Sequence, residues 1–210
     1  MNTNIVFDFG AVLFDWDPLA LVTGFFPERC ATPQAARGLA KDIFSHADWL
    51  AFDAGRIELD EVKQRTMQRL GLHADGVHAL MDHQGERLQP IPESVAELAR
   101  LRTLRDQAGS SLKLYFLSNM PAPYSRVLEQ RHDFIAWFDG GVFSGDVQLL
   151  KPEPTIFSHM EQRYGLLPQH TWFIDDALAN VHAANAQGWR GLHLPHFSRL
   201  KTLIQQEIGL

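Results

Sequence analysis

Residues 5–13 of the chain read Ile-Val-Phe-Asp-Phe-Gly-Ala-Val-Leu, and the prediction of the fold starts from this stretch. The apolar run is typical of a buried β-strand, and it ends on Asp8, before a turn that contains Gly10. An acid in that position stands at the carboxyl end of a strand, where open α/β sheets bind their ligands. A single Asp after a strand is more often a turn or capping residue, so its role depends on the other strand ends.

The rest of the chain alternates between strand and helix patterns. Further runs rich in β-forming residues occur near residues 112–117, 141–144, 171–174 and 191–194. Helical spacing of apolar residues occurs over residues 94–105, 124–138, 154–164 and 177–187. This alternation predicts an α/β fold, a Rossmann-like parallel sheet of about five strands with helices on both faces.

The chain between the first two strands is far longer than one crossover helix requires. Compact domains do not leave so much chain as loop, and residues 57–70 carry a helical pattern that Gly71 would stop. Asp17-Pro18 has the form of a helix N-cap and first turn. We therefore expect a helical cap that overhangs Asp8. The predicted parts are a core of residues 1–15 plus 90–210 and a cap of residues 16–89.

Composition narrows the class of protein. The 210 residues are 45% apolar, and the formal net charge of −6 offers no basic stripe for nucleic acid. Cys30 is the only cysteine, which excludes an internal disulfide and is typical of a reducing compartment. The N-terminus lacks a basic, apolar leader, and no window is long enough for a membrane span. We expect a cytoplasmic protein that binds neither nucleic acid nor membrane. The sequence does not indicate the oligomeric state.

Polar residues follow the later strands as well. Because the carboxyl ends of parallel strands meet at one edge of a sheet, these residues should lie near Asp8. They are Ser118-Asn119 after the second strand, Lys151 after the third, and Asp175-Asp176 after the fourth. Each also has a structural interpretation, because Ser, Asn and Asp cap helices and Lys151-Pro152 is compatible with a solvated loop.

These motifs closely resemble the four sequence motifs of the haloacid dehalogenase-like hydrolases, and the resemblance covers essentially the whole chain. Residues 15 to about 90 match the helical cap that members of this type insert after the first motif. Within the family, the form Asp-x-Gly-x-Val-Leu, with Asn180 after the acidic pair, is most similar to bacterial phosphatases that hydrolyse α-glucose 1-phosphate. The resemblance thus implies a phosphatase for a small phosphorylated metabolite, with a sugar phosphate favoured.

The residue types suit that chemistry. A carboxylate such as Asp8 can accept a phosphoryl group as an aspartyl-phosphate, and Mg²⁺ can neutralise the two anions that must meet. The expected metal site is Asp8, the Gly10 carbonyl, Asp175 and Asp176, and the family's geometry favours Asp176 as the direct ligand. Ser118, the amide of Asn119 and Lys151 would bind the phosphate, with Lys151 also counted as catalytic.

Gly10 departs from the family pattern. Most phosphatases of the family carry there a second Asp, which protonates the leaving alcohol. Loss of such a group typically costs about 10² to 10⁴ in rate. A good leaving group, such as an anomeric hydroxyl or an acyl carboxylate, would lessen the need for it. A cap residue is another replacement, with Asp15 and Asp17 nearest in sequence, and a weak or inactive catalyst is the third interpretation.

Two other functions remain open from the sequence. A 2-haloacid dehalogenase would use Asp8 on carbon without metal, but that branch usually has an aromatic residue at the Gly10 position and no acid at the Asp176 position. A non-catalytic phosphometabolite-binding protein could use the same groups.

The remaining polar residues have less specific interpretations. Asn180 either braces the acidic pair or has a packing role. The histidines show no zinc-site spacing, and we interpret them as surface or cap residues: His46, His73, His78, His83 and His182.

Overall fold

The computed structural model describes residues 3–210, and a five-stranded sheet lies at its centre. The strands are β1 (Thr3–Phe7), β2 (Leu112–Ser118), β3 (Gly140–Phe143), β4 (Thr171–Asp175) and β5 (Arg190–His193). They are ordered β3-β2-β1-β4-β5, and every neighbouring pair is parallel. The predicted α/β fold with a parallel sheet of about five strands is therefore confirmed.

Both faces of the sheet are buried, which explains the nearly continuous apolar runs of the central strands. Ile5 and Phe7 of β1 pack into one apolar cluster, while Val6 between them packs into a second cluster on the opposite face. Successive side chains of a strand point to opposite faces, so a strand covered on both sides needs apolar residues at every position.

Helices cover the two faces of the sheet and form the segment between the first two strands. They are α1 (Pro18–Phe25), α2 (Pro33–Phe44), α3 (Ala47–Asp53), α4 (Leu59–Leu70), α5 (Ala74–Met81), α6 (Gln84–Arg87), α7 (Pro92–Arg105), α8 (Ala122–Arg131), α9 (Ser144–Val147), α10 (Pro154–Tyr164), α11 (Leu178–Ala186) and α12 (Leu200–Glu207). Short 3₁₀ turns occupy Pro27–Arg29, Asp133–Trp137, Pro168–His170 and Phe197–Arg199. Apolar residues of α7, α8 and α12 belong to the cluster on one face, and those of α10 and α11 to the other.

One predicted helix is divided in the structure. The helical pattern over 124–138 becomes α8, an extended residue at His132 (φ −131°, ψ 95°) and the 3₁₀ turn Asp133–Trp137. Phe134 and Ile135 are buried in the same cluster as Leu128 of α8. The apolar spacing therefore continues across the break, and a single continuous helix was the wrong prediction.

The helices α1 to α6 all lie between β1 and α7, and the chain leaves and returns side by side. The N–H of Asp15 donates to the carbonyl of Gln89 at 2.8 Å, and that of Ile91 donates to Leu13 at 2.8 Å. Two local predictions in this segment are confirmed. Asp17 caps α1 by accepting from two backbone N–H groups, and Gly71 ends α4 in the left-handed conformation (φ 60°).

No helix within residues 3–210 is both long enough and apolar enough to cross a lipid bilayer.

Candidate active site

The strand order places Asp8 between its predicted partners. Asp8 directly follows β1, and its N–H donates to the carbonyl of Ile174 in the neighbouring strand β4 at 2.9 Å. Asp175 ends β4 on one side of Asp8, and Ser118 ends β2 on the other. The chain runs from β1 outward through β2 and β3 on one side and then crosses to β4 and β5 on the other, so the strand order reverses beside β1, where α/β folds form ligand-binding crevices.

Lys151 reaches into this crevice from the segment after β3. Its side chain is almost completely buried, and Nζ lies 2.8 Å from Oδ1 of Asp8 and 2.7 Å from Oδ2 of Asp175. A solvated loop is therefore the wrong interpretation of Lys151-Pro152. One ammonium group, which also lies over the ring of Phe173, contacts two carboxylates at once.

The side chain of Asn119 holds Lys151 in place. Its Nδ2 donates to the carbonyl of Lys151 at 2.9 Å, and its Oδ1 accepts from the N–H of Lys151 at 2.9 Å. Asn119 does not cap a helix, because α8 begins after Pro121 without a side-chain cap. Oδ1 and one N–H of Nδ2 are engaged in this way, so Asn119 can offer a phosphate oxygen its backbone N–H and the second N–H of Nδ2.

The two residues of the acidic pair have different surroundings. Asp175 is fully buried and accepts from the N–H of Ala177 at 2.8 Å and from Nδ2 of Asn180 at 3.0 Å on each oxygen, in addition to the bond from Lys151. Asn180 thus braces Asp175 directly. Asp176 is partly exposed and lines the open side of the site.

Burial and mutual repulsion govern the charges of these groups. Burial raises the pKa of Asp8 to about 7; Lys151 opposes this increase, and Asp175 and Asp176 add to it. Burial and the neighbouring Asp175 also raise the pKa of Asp176. Burial disfavours the charged form of Lys151, but Asp175 and Asp8 outweigh it and raise the pKa of the ammonium group. The site therefore holds more carboxylate than its single cation can neutralise.

The donor set fits a hard divalent cation. Carboxylate oxygens of Asp8, Asp175 and Asp176 all lie within 4.8 Å of one another. Asp175 already accepts four hydrogen bonds, whereas Asp8 contacts Lys151 through Oδ1 and keeps Oδ2 for another partner. Two carboxylates, with phosphate and water oxygens completing the sphere, form the type of site that Mg²⁺ occupies in phosphoryl-transfer proteins.

The side chains of Asp8 and Asp176 line a cavity of about 310 Å³, which lies beneath the helical segment between β1 and α7. Ser118, Asn119 and Lys151 line its floor together with Asp8. Residues of α2 and α3 and Trp16 line its roof. Asp15 and Asp17, the nearest acids in sequence, do not line it: Asp15 is exposed, and Asp17 is engaged as the α1 cap.

Gly10 lies against the indole of Trp16. A Cβ atom at position 10 would meet the side chain of Trp16 at 3.6 Å, which is an ordinary van der Waals contact. Trp16 is in turn held by Phe44 and Trp49 of the helical segment. An apolar ring therefore stands beside the position where most phosphatases of this motif pattern carry an acid.

Comparison with known proteins agrees with this geometry. The family model of the haloacid dehalogenase-like hydrolases matches residues 4–188. The chain belongs to this family. The hydrolase is 30% identical over 190 residues to the sesquiterpene phosphatase astK of Aspergillus oryzae, covering 90% of this chain and 88% of that protein. It is 30% identical over 86 residues to a phosphoglycolate phosphatase of Salmonella choleraesuis, covering 41% of this chain and 34% of that enzyme.

A solved structure supports the same fold for this hydrolase. A HAD family enzyme from Bacteroides thetaiotaomicron, in complex with magnesium and inorganic phosphate, superposes with a TM-score of 0.69 at 20% identity. The match covers 92% of this chain and 94% of that one. Family membership and relatives that are named phosphatases identify the protein as a phosphatase-type hydrolase.

Two cavity residues of the hydrolase have no sequence motif. Asp53 at the end of α3 and Gln84 at the start of α6 both line the cavity and are almost fully buried. The one local clue is an acid at the end of the apolar run Trp-Leu-Ala-Phe-Asp over residues 49–53.

The five histidines singled out from the sequence are caps or exposed residues, whereas Nε2 of His193 lies 2.9 Å from the backbone carbonyl of Asp176. His46 and His73 cap α3 and α5 by accepting from backbone N–H groups. His78, His83 and His182 are exposed. Within residues 3–210, the group of Asp8, Asp175 and Asp176 is the single cluster suited to a metal ion.

Proposed function

We propose that the protein is a Mg²⁺-dependent phosphatase that hydrolyses a small phosphorylated metabolite through an aspartyl-phosphate on Asp8. The observation that carries this proposal is the position of Asp8. Its carboxylate lies at the floor of a cavity, 2.8 Å from a buried ammonium group and beside a second acidic pair. A nucleophile, a fixed cation and a set of oxygen donors then face one phosphate-sized position.

Each residue of the site has a separate role in this reaction. Asp8 attacks phosphorus as the ester P–O bond breaks, and the leaving oxygen takes its proton from water. A water molecule then attacks phosphorus of the aspartyl-phosphate, which releases inorganic phosphate and restores the Asp8 carboxylate. Lys151 and the Ser118 hydroxyl bind the phosphate oxygens, while Asn119 fixes the backbone of Lys151. Asp175 holds Lys151 in place, and Asn180 holds Asp175.

Mg²⁺ would be held by Asp8, Asp176 and the Gly10 carbonyl, with Asp175 behind them. When bound, it supplies charge that lets the carboxylate and the phosphate approach each other. We further assign residues 16–89 as the cap domain and residues 1–15 plus 90–210 as the core. The paired segments around Leu13 and Gln89 form the junction of the two, and the cavity lies between them.

Two substrate classes are candidates. The sequence resemblance favours a sugar phosphate such as glucose 1-phosphate. The relative from Aspergillus oryzae is named a sesquiterpene phosphatase, which favours an apolar organic group. The two classes share the phosphate and differ in the group that enters the cavity.

Phosphate release from acetyl phosphate and a panel of phosphate esters, with MgCl₂ or with EDTA, tests the activity. We expect hydrolysis with Mg²⁺ and its loss in EDTA. Halide release from 2-chloropropionate in EDTA would instead identify a dehalogenase. Binding of the esters without any hydrolysis would identify a non-catalytic binding protein.

A further inference from the structure

The cavity above Asp8 has a strongly aromatic side. Trp16, Phe44 and Trp49, which we call the aromatic wall, contact one another: the rings of Phe44 and Trp49 are 4.8 Å apart, and those of Trp16 and Phe44 are 5.1 Å apart. Leu50, Leu88 and Met120 extend the apolar lining. Because Trp16 also packs against Gly10, this wall begins next to the reacting phosphate.

Gln84 is an unusual member of this lining. Its side chain is 4% exposed, and its Oε1 has no hydrogen-bond partner within residues 3–210. Buried polar atoms are nearly always paired, so an unpaired acceptor that lines a cavity points to a partner supplied by a ligand or a water. The nearby Tyr124 hydroxyl does not fill this role, because it donates to the carbonyl of Met81 at 2.7 Å.

Asp53 is the second polar group in the apolar part of the cavity. The end of α3 is fixed to the core, since the Ser144 hydroxyl donates to the carbonyl of Asp53 at 2.5 Å. Gly55 (φ 65°) permits this approach, because a Cβ there would collide with the carbonyl of Gly145. Burial raises the pKa of Asp53 well above its usual range, partly offset by a hydrogen bond from Trp49. A neutral carboxyl group can both donate and accept a hydrogen bond.

We infer that the organic group of the substrate is largely hydrocarbon and carries a hydroxyl, with the hydrocarbon on the aromatic wall and the hydroxyl bound by Gln84 or Asp53. This inference rests on the proposed phosphatase function and specifies the substrate class of the same site. Apolar surface binds favourably in a cavity bordered by tryptophan and phenylalanine rings, because it displaces water from them. Gln84 and Asp53 then favour apolar phosphates that carry a hydroxyl over those that do not.

A polyhydroxylated sugar fits this lining poorly. A hexose carries a hydroxyl on nearly every carbon, and each one that loses water without finding a partner weakens binding several-fold or more. Polar side-chain groups are few among the described residues that line the cavity away from the phosphate site: Gln84 and Asp53 carry an amide and a carboxyl group, Trp16 has one indole N–H, and the Tyr124 hydroxyl already donates to Met81. An isolated hydroxyl can be satisfied in this cavity, whereas a full ring of hydroxyls cannot.

Four phosphates test the inference on the wild-type protein with Mg²⁺: hexyl phosphate, 6-hydroxyhexyl phosphate, glucose 6-phosphate and acetyl phosphate. The first three share six carbons and a primary phosphate ester and differ in hydroxyl content. We expect KM for hexyl phosphate to be at least ten-fold lower than for glucose 6-phosphate. We expect a longer hydroxyalkyl series to contain a chain length whose kcat/KM exceeds that of the unsubstituted chain by about three- to ten-fold. Equal or better use of glucose 6-phosphate would overturn the hydrocarbon assignment.

The outcomes separate this inference from the proposed function. Hydrolysis of acetyl phosphate without any preference between hexyl phosphate and glucose 6-phosphate would keep the phosphatase and reject the apolar substrate. Binding of hexyl phosphate to the Asp8→Asn protein, measured by quenching of tryptophan fluorescence, without wild-type turnover of any ester would reject the phosphatase and keep the apolar site.

Variants test the two polar groups. Gln84→Met and Asp53→Leu each keep side-chain volume and remove the polar atoms. We expect one of them to abolish the advantage of the hydroxylated chain, chiefly through KM, while the unsubstituted chain binds as well or better. Gln107→Met, on the exposed end of the segment after α7, is the matched control. Two results would overturn this part of the inference: the hydroxylated chain keeps its higher kcat/KM in both variants, or it has no higher kcat/KM at any chain length. Either result means that Gln84 pairs with an ordered water only.

Discussion

The ammonium group of Lys151 lies 2.8 Å from Oδ1 of Asp8, and both side chains are almost fully buried. The same Nζ lies 2.7 Å from Oδ2 of Asp175, so one cation is shared by two carboxylates. In this arrangement Lys151 favours the ionised form of Asp8, and under the proposed function it would present positive charge to an incoming phosphate. The remaining negative charge is what a divalent cation would neutralise.

Removal of this cation should harm both activity and stability. Lys151→Met leaves Asp8 and Asp175 buried without their partner, which typically costs about 3–5 kcal/mol. We expect the free energy of unfolding in EDTA to fall by that order at pH 8, and phosphatase turnover to be lost. At pH 5 the loss of stability should be smaller, because a protonated Asp8 no longer needs the ammonium group. Urea unfolding at both pH values measures this.

Lys201→Met provides the matched control, since Lys201 is an exposed lysine on α12. We expect it to leave turnover unchanged and unfolding within about 0.5 kcal/mol of the wild type. Equal destabilisation by Lys151→Met at pH 5 and pH 8 would contradict the assigned pairing with Asp8.

Restoring an acid at position 10 should broaden the range of leaving groups. With Gly10 in place, we expect rates to fall steeply as the pKa of the leaving alcohol rises. The space beside Trp16 admits a Cβ, so Gly10→Asp can introduce a carboxyl group near the leaving oxygen. It should raise kcat/KM for alkyl phosphates at least ten-fold and flatten this dependence. Gly10→Asn has the same shape without the acid and should give no gain; a flat dependence in the wild type would reveal another general acid.

Asn119 should act through the position of Lys151. Asn119→Ala removes both hydrogen bonds to the backbone of Lys151. We expect kcat to fall by about a hundred-fold, because a small displacement of a catalytic charge has effects of that size. The loss of stability should be limited to about 1–3 kcal/mol. Steady-state kinetics and thermal unfolding measure the two effects, and a wild-type kcat in this variant would show that the contact is dispensable.

Asp53 should destabilise the folded protein at high pH. Its folded-state pKa is raised by burial, so the folded protein binds a proton that the unfolded chain releases above about pH 4. Stability therefore falls as pH rises from that value to the folded-state pKa. Each pKa unit of difference corresponds to about 1.4 kcal/mol at high pH. We expect Asp53→Asn to unfold at a higher temperature than the wild type at pH 8.

The stabilisation by Asp53→Asn should shrink or reverse toward pH 4, where Asp53 is neutral in the folded protein and largely so in the unfolded chain. Asp42→Asn on the exposed face of α2 serves as the control and should show no such trend. An Asp53→Asn effect of the same size at both pH values would show that Asp53 is ionised in the folded protein.

The strands and the polar groups after them were predictable because their determinants are local. A strand buried on both faces must be apolar along its length, and parallel strands bring their carboxyl ends together whatever lies between them. Asp8, Ser118, Lys151 and Asp175 accordingly lie at one edge of the sheet. The break at His132 was not visible, because Phe134 and Ile135 continue the apolar spacing of α8 into the same core.

Asp53 and Gln84 could not be found in this way. Their significance comes from burial beneath the helical segment, which depends on how α3 and α6 pack against the core. Asp17 shows the converse, because its nearness in sequence suggested a catalytic replacement while its carboxylate is engaged at the start of α1. Cavity residues contributed by an inserted segment follow from tertiary packing, which no short spacing rule captures.

Turnover by Asp8→Asn decides whether Asp8 is the nucleophile. The substitution keeps the shape of the side chain and removes the nucleophilic oxygen, and it should leave the unfolding transition cooperative. With Mg²⁺ and acetyl phosphate, we expect kcat to fall by at least about a thousand-fold. A folded Asp8→Asn protein that releases phosphate at the wild-type rate would contradict the aspartyl-phosphate mechanism.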